Sequence, residues 1–196
     1  HIRALLAEGR YEEAASALGD ASTAAVTGGE MEEARAELDR RRAREKELVA
    51  FAEASLEVGR YEEAIQAYRE LLVFAPSRRA EFIGSQAEAH VQYGDSLLRE
   101  RKHAEARHQY QEALALAPEL RPGLQTKLIA STLFVVQAEL ERAERPLPTG
   151  KALDLKRQLQ ELLALDANLP HSHFLLGVVY ERMGRSDLGL VEYEQA

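Results

Sequence analysis

A short string of residues recurs along this chain, and a chain that repeats itself between stretches of helical pattern has few folds open to it. Glu8-Gly9-Arg10-Tyr11-Glu12-Glu13-Ala14 returns as Val58-Gly59-Arg60-Tyr61-Glu62-Glu63-Ala64. A weaker copy is Glu100-Arg101-Lys102-His103-Ala104-Glu105-Ala106, and a partial one is Met183-Gly184-Arg185-Ser186-Asp187-Leu188-Gly189. Each copy follows one helical apolar pattern and precedes another. The unit therefore reads as a tight turn between two antiparallel helices. A glycine in the left-handed region ends the first helix. The aromatic two residues on packs between the helices, and the small residue three further on lets them approach. One hairpin cannot bury both of its apolar faces, so copies have to stack.

The composition agrees. Leu, Ala, Glu and Arg dominate, and the 12 Gly and 6 Pro are scattered, as in a helix-rich domain. With no Cys, neither a disulfide nor a thiolate metal site can form. A net charge of −8 argues against a nucleic-acid partner, because phosphate contacts need a surplus of Lys and Arg. No apolar run approaches the ~20 residues of a membrane span. The richest stretch, 128–140, is interrupted by Ser131, Thr132, Gln137 and Glu139. The chain opens directly in a helical pattern and shows no signal-peptide pattern. It is read as a fragment of a longer protein, with cytoplasm and periplasm both left open.

Longer alignments of the copies carry a specific resemblance. Residues 87–120 hold Tyr93-Gly94, Leu97, Ala106, Tyr110, Ala113 and Pro118 in order. Residues 45–78 hold Phe51-Ala52, Gly59, Tyr61, Ala64, Tyr68 and Pro76, and residues 170–196 hold Leu176-Gly177, Tyr180, Gly184 and Tyr193. A partial copy at 1–28 keeps Leu5, Gly9, Tyr11, Ala14 and Leu18. A degenerate one at 136–169 keeps Leu155, Leu159 and Leu162, with Ala167 in place of the closing proline. This pattern resembles the tetratricopeptide repeat family, whose unit is about 34 residues. The resemblance implies an all-α, right-handed superhelical solenoid of stacked antiparallel hairpins, a single repeat domain over 1–196.

The copies are unevenly spaced, with turn positions at Gly9, Gly59, Arg101, Gly150 and Gly184. The extra residues are helical in character and run into the first helix of the next copy, which predicts elongated first helices at 30–58, 79–100 and 121–144. The full expected map is 2–8, 11–26, 30–58, 61–75, 79–100, 103–117, 121–144, 151–166, 170–183 and 186–196. Breaks fall at Gly28-Gly29, Pro76, Pro118, Pro122, Pro146-Leu147-Pro148 and Pro170.

Four features bear on chemistry. Residues 39–47 read DRRRAREKE. Acids interleave with the bases, and Glu37–Arg41 and Arg41–Glu45 stand at i,i+4 spacing, so the segment reads as a solvated face more than as a polyanion site. Residues 145–150, RPLPTG, read as a stiff turn. Gly150-Lys151 lacks the first Gly and the Ser/Thr of a phosphate loop. His103 and His108 diverge around a helix, as do His171 and His173, so no metal is expected. No nucleophile motif and no isolated carboxylate in an apolar pattern appears, so the chain reads as a non-enzyme without cofactors.

In the resembled family the first helices line a concave surface that holds a peptide. The resemblance transfers this role to Val49, Glu53, Leu56, Glu57, Val91, Gln92, Asp95, Arg99, Leu140, Glu141, Glu144, Phe174 and Val178. The family's carboxylate clamp is missing, because Val49 and Val91 replace its Lys while Glu53 and Asp95 replace its Asn. Such a groove suits a partner with apolar anchors and some basic residues. The elongated helices, beginning with 30–58, are the alternative surface. The expected role is a protein–protein interaction scaffold in a multiprotein assembly of the bacterial envelope, secretion or motility kind. The other expectation is a regulatory arm fused to a kinase, protease or ATPase. Self-association through open repeat ends is a further expected contact.

Overall fold

The computed structural model describes residues 1–21 and 28–196, and no strand occurs among them. Among the described residues ten α-helices follow one another: α1 Ile2–Ala7, α2 Tyr11–Ala21, α3 Gly28–Glu57, α4 Tyr61–Phe74, α5 Arg79–Arg99, α6 His103–Leu116, α7 Arg121–Arg142, α8 Thr149–Leu165, α9 Pro170–Arg182 and α10 Ser186–Glu194. The order is the expected one, and ends agree within about two residues wherever the structure describes them. The part of the expected helix 11–26 that falls in 22–27 lies outside the described residues. Short 3-10 turns at Pro76–Arg78 and Pro118–Leu120 follow α4 and α6, where proline cannot continue the α-helix.

The recurring string is a helix-ending device, and four copies share one hydrogen-bond pattern. Arg10 N–H donates to Leu5 C=O at 2.9 Å while Gly9 N–H donates to Leu6 C=O at 3.2 Å. The same pair is made by Arg60 and Gly59, by Lys102 and Arg101, and by Arg185 and Gly184. This is the Schellman arrangement, which requires a left-handed residue after the helix. Gly9, Gly59 and Gly184 have φ of 69°, 77° and 75°. The third copy has no glycine, yet Arg101 is forced to φ 60°. A side chain there costs about 1–2 kcal/mol, partly offset by the greater flexibility glycine has when unfolded. Arg101→Gly is therefore expected to stabilise the protein by up to about 1 kcal/mol. A denaturant titration showing a lower midpoint would mean that Arg101 makes contacts worth more than its backbone strain.

At the expected break Gly28-Gly29, α3 begins at Gly28 itself, and 22–27 before it lie outside the described residues. One expected turn position is corrected. Gly150 lies inside the first turn of α8 rather than in a left-handed turn. The chain reverses over 143–148 instead, where the two prolines stop α7 and Leu147 inserts into the core at 6% exposure.

Contacts group the chain into two compact units. The first comprises His1–Tyr93 with Gln111–Leu120, and the second Gly94–Tyr110 with Arg121–Ala196. In the first unit α1 pairs with α2, both pack on α3, and α3 pairs with α4. Leu5, Leu6, Tyr11 and Leu18 meet Leu38, Leu48, Tyr68, Leu71 and Phe82 in one core, each large apolar side chain contributing about 1.5–3 kcal/mol on burial. Nothing between Gly29 and Gly59 breaks α3, so its 30 residues extend for about 45 Å. Its length serves two partners. The first half carries α1 and α2, as Arg41 donates to Leu6 C=O at 3.1 Å and Arg42 meets Glu12 at 2.7 Å. The second half pairs with α4. In the second unit α7, α8, α9 and α10 bury Val136, Leu140, Leu155, Leu159, Leu176 and Val179.

Candidate interaction surfaces

Side chains that hold the hairpins closed must be separated from those left free to bind. The small residue of the repeat is fully buried at Ala14, Ala64 and Ala106. Tyr11 is buried and donates to Phe74 C=O at 3.2 Å. Tyr61 stacks on Tyr93 with ring centroids 5.4 Å apart, and His103 stacks on Phe134 at 4.2 Å. A second tyrosine later in the unit fills the space over a missing side chain. A methyl on Gly94 would stand 2.6 Å from the Tyr110 ring, and one on Gly177 would collide with Tyr193. Tyr110 is 0% exposed. Its hydroxyl donates to Asp95 at 2.6 Å, and Lys127 closes the network at 2.6 and 2.7 Å from the two Asp95 oxygens. Burial, and then the Asp95 carboxylate, push the Tyr110 phenol well above the ordinary tyrosine range.

The transferred groove residues divide between the two units. In the first, Val49, Glu53, Leu56 and Glu57 form a stripe along α3. Val49 and Leu56 are half-buried against the core, and Glu53 and Glu57 are exposed. Val91 and Gln92 are half-buried on α5. In the second, Phe174 is 48% exposed and Val178, one turn on, is half-buried. Phe174 stacks on His171 with ring centroids 6.3 Å apart and lies tilted against Tyr193 at 5.9 Å. Glu141 and Glu144 are exposed, Glu141 accepting from Gln137 at 2.9 Å. Arg99 is exposed and donates back to Asp95 C=O at 3.3 Å.

Two of these residues do different work from that expected. Leu140 is 3% exposed and belongs to the core, because α8 and α9 close over the α7 face that carries it. Asp95 has its charge matched by Lys127 and its lone pairs used by Tyr110, so it adds no open negative charge. Sequence spacing could not show this, since Lys127 lies on another helix.

The basic run is structural. Glu37 holds Arg40 at 2.9 Å and Arg41 at 2.7 Å, which keeps the Glu37 carboxyl below the usual carboxylate range. Glu45 does not pair with Arg41. At 6% exposure it meets Arg78 from the loop after α4, whose guanidinium also lies 4.7 Å over the Phe82 ring. Near the C-terminal end His173 is drawn above the usual histidine range by its 2.8 Å hydrogen bond with Glu192. Among the described residues no cluster of three potential metal ligands occurs, and no helix is long and apolar enough to cross a membrane.

Antiparallel hairpins closed by one recurring turn, with an aromatic seated on a small residue of the partner helix, define an all-α helical-repeat protein. Residues 87–120, the segment that seats Tyr110 on Gly94, match the family model described as Tetratricopeptide repeat. That segment is similar to one tetratricopeptide repeat, and hairpins closed by the same turn flank it. Among solved structures, one described as the crystal structure of MamA protein is similar at 13% identity, over 78% of this chain and 89% of that one, with a TM-score of 0.35. No curated protein gives a match.

Proposed function

We propose that this chain is a protein–protein interaction scaffold, an array of the copies at 1–28, 45–78, 87–120, 136–169 and 170–196. It binds a peptide or protein with apolar anchors and some basic residues, within a multiprotein assembly of the bacterial envelope, secretion or motility kind. One observation carries this reading: Phe174 stands nearly half exposed on α9, beside Val178, on a first helix of the repeat. A large aromatic costs free energy when left in water, and aromatic side chains are enriched at the cores of interfaces. The exposed acids Glu53, Glu57, Glu141 and Glu144 favour a partner bearing Lys or Arg, chiefly by speeding encounter.

The test is a selection of displayed 12-residue peptides on the full chain, followed by binding kinetics of the synthetic winners. Enriched peptides should combine apolar and basic residues. Phe174→Ala should shorten the complex lifetime by at least ~10-fold with little change in association rate, as for a desolvated anchor. Glu141→Lys with Glu144→Lys should slow association and flatten its salt dependence. If every selected peptide binds Phe174→Ala as long as wild type, this surface is not used.

A further inference from the structure

We infer that the second half of α3 and the first half of α4 form a separate docking groove, shaped for an amphipathic helix with a basic flank from another protein. It goes beyond the surface proposed above, sharing with it only the premise that the chain binds proteins. The argument starts from three equivalent positions. Phe51, Tyr93 and Leu176 each precede the small residue (Ala52, Gly94, Gly177) that stands one fixed interval before Tyr68, Tyr110 and Tyr193. At the two later positions the second helix of the preceding copy supplies the cover. Tyr93 stacks on Tyr61 of α4, and Leu176 lies in one core with Leu155 and Leu159 of α8. The corresponding helix before Phe51 is α2, and α2 meets the other half of the elongated α3, where Glu12 reaches Arg42. Phe51 is consequently left 50% exposed.

The uncovered face is a groove of about 780 Å³, lined among the described residues by α3 and α4 alone. Phe51 forms its floor with Leu48 and Ala67. Leu48 and Phe51 stand at i and i+3 on α3, which is how a helix presents a seam to another helix. The rim carries four carboxylates, those of Glu47, Glu62, Glu63 and Glu70, against the guanidinium of Arg44. Arg44 lies between Glu47 and Glu70 at 3.7 and 3.9 Å, and Arg60 outside the groove meets Glu63 at 3.6 Å. The rim therefore keeps a surplus of negative charge around an apolar floor. The spans 44–51 and 62–70 are each about two helical turns long. The occupant that fits is a two- to three-turn helix with one large apolar side chain over Phe51 and Lys or Arg at the edges.

The experiment is selection of displayed 12-residue peptides on the full chain, depleted against Phe51→Ala. Phe51 is half exposed, so that variant should fold, which a helical circular dichroism melt checks. The surviving pool should be rich in Lys and Arg around a Leu, Ile or Phe. A synthetic member should gain helicity on binding, lose at least ~10-fold in affinity to Phe51→Ala, and lose its binding to Glu63→Lys with Glu70→Lys. Phe174→Ala should leave its affinity unchanged. Three results overturn the inference: no pool that depends on Phe51, a pool without basic bias, or a chain that dimerises in sedimentation through a contact abolished by Phe51→Ala. A pool dependent on Phe174 but not on Phe51 would sink this groove while sustaining the surface on α9.

Discussion

Tyr110→Ala should destabilise the second unit by about 3–5 kcal/mol, the range for removing a fully buried aromatic. The ring fills the space above Gly94, a position where even a methyl group would stand 2.6 Å from it. α5 and α6 cannot close over the void without shifting the register set by the turn at Arg101. The hydroxyl is a smaller part of the effect. Tyr110→Phe removes one hydrogen bond to Asp95 but leaves the carboxylate paired with Lys127, so a loss of about 1 kcal/mol is expected. Adding Gly94→Ala should separate packing from polarity. Alone it should destabilise, because its methyl meets the ring. In the Tyr110→Ala background it should partly fill the void, and the double-mutant cycle should show a favourable coupling. Guanidinium titrations of the four proteins supply the numbers. A loss below about 1 kcal/mol for Tyr110→Ala would show that the Gly94 seat is not a packing site.

Ala64→Arg is the second large effect. Ala64 is 0% exposed on α4, which pairs with α3 along the second half of that helix. Overpacking of this kind costs about 1–3 kcal/mol, and an unpartnered guanidinium beneath a helix pair adds a desolvation cost. The melting temperature should fall by about 4 °C or more for each kcal/mol lost in a unit of this size. Gln66→Arg, two residues on and exposed, is the control and should leave the melting temperature within a degree or two. Equal melting temperatures for wild type and Ala64→Arg would mean that the repeat register is misplaced in this hairpin.

Much of this architecture was legible in the residues. The Schellman turns were visible as Gly9, Gly59 and Gly184, because a left-handed residue is demanded there by local geometry alone. The register was strong enough to place Arg101 at the same site, and the backbone is left-handed there despite its side chain. The elongated α3, α5 and α7 follow from the absence of breakers between known turns. The surfaces were less legible. Family spacing assigned Leu140 to an open groove, and the fold buries it at 3% exposure. Glu45 stood at the right spacing for Arg41, but a local ion pair is worth little, and the loop after α4 delivers Arg78 to it across the fold.

By itself the sequence determined which segments are helices, where they end among the described residues, and that neighbouring helices return antiparallel, because helix propensity, proline and left-handed turns act over a few residues. The tertiary structure decided which of the apolar and acidic side chains stay in water. That depends on where along α3 the first hairpin comes to rest, on Lys127 reaching Asp95 from another helix, and on α8 and α9 closing over Leu140. Each is a contact between residues far apart in the chain, made or missed by the packing of whole helices, and no periodicity within a single helix encodes it.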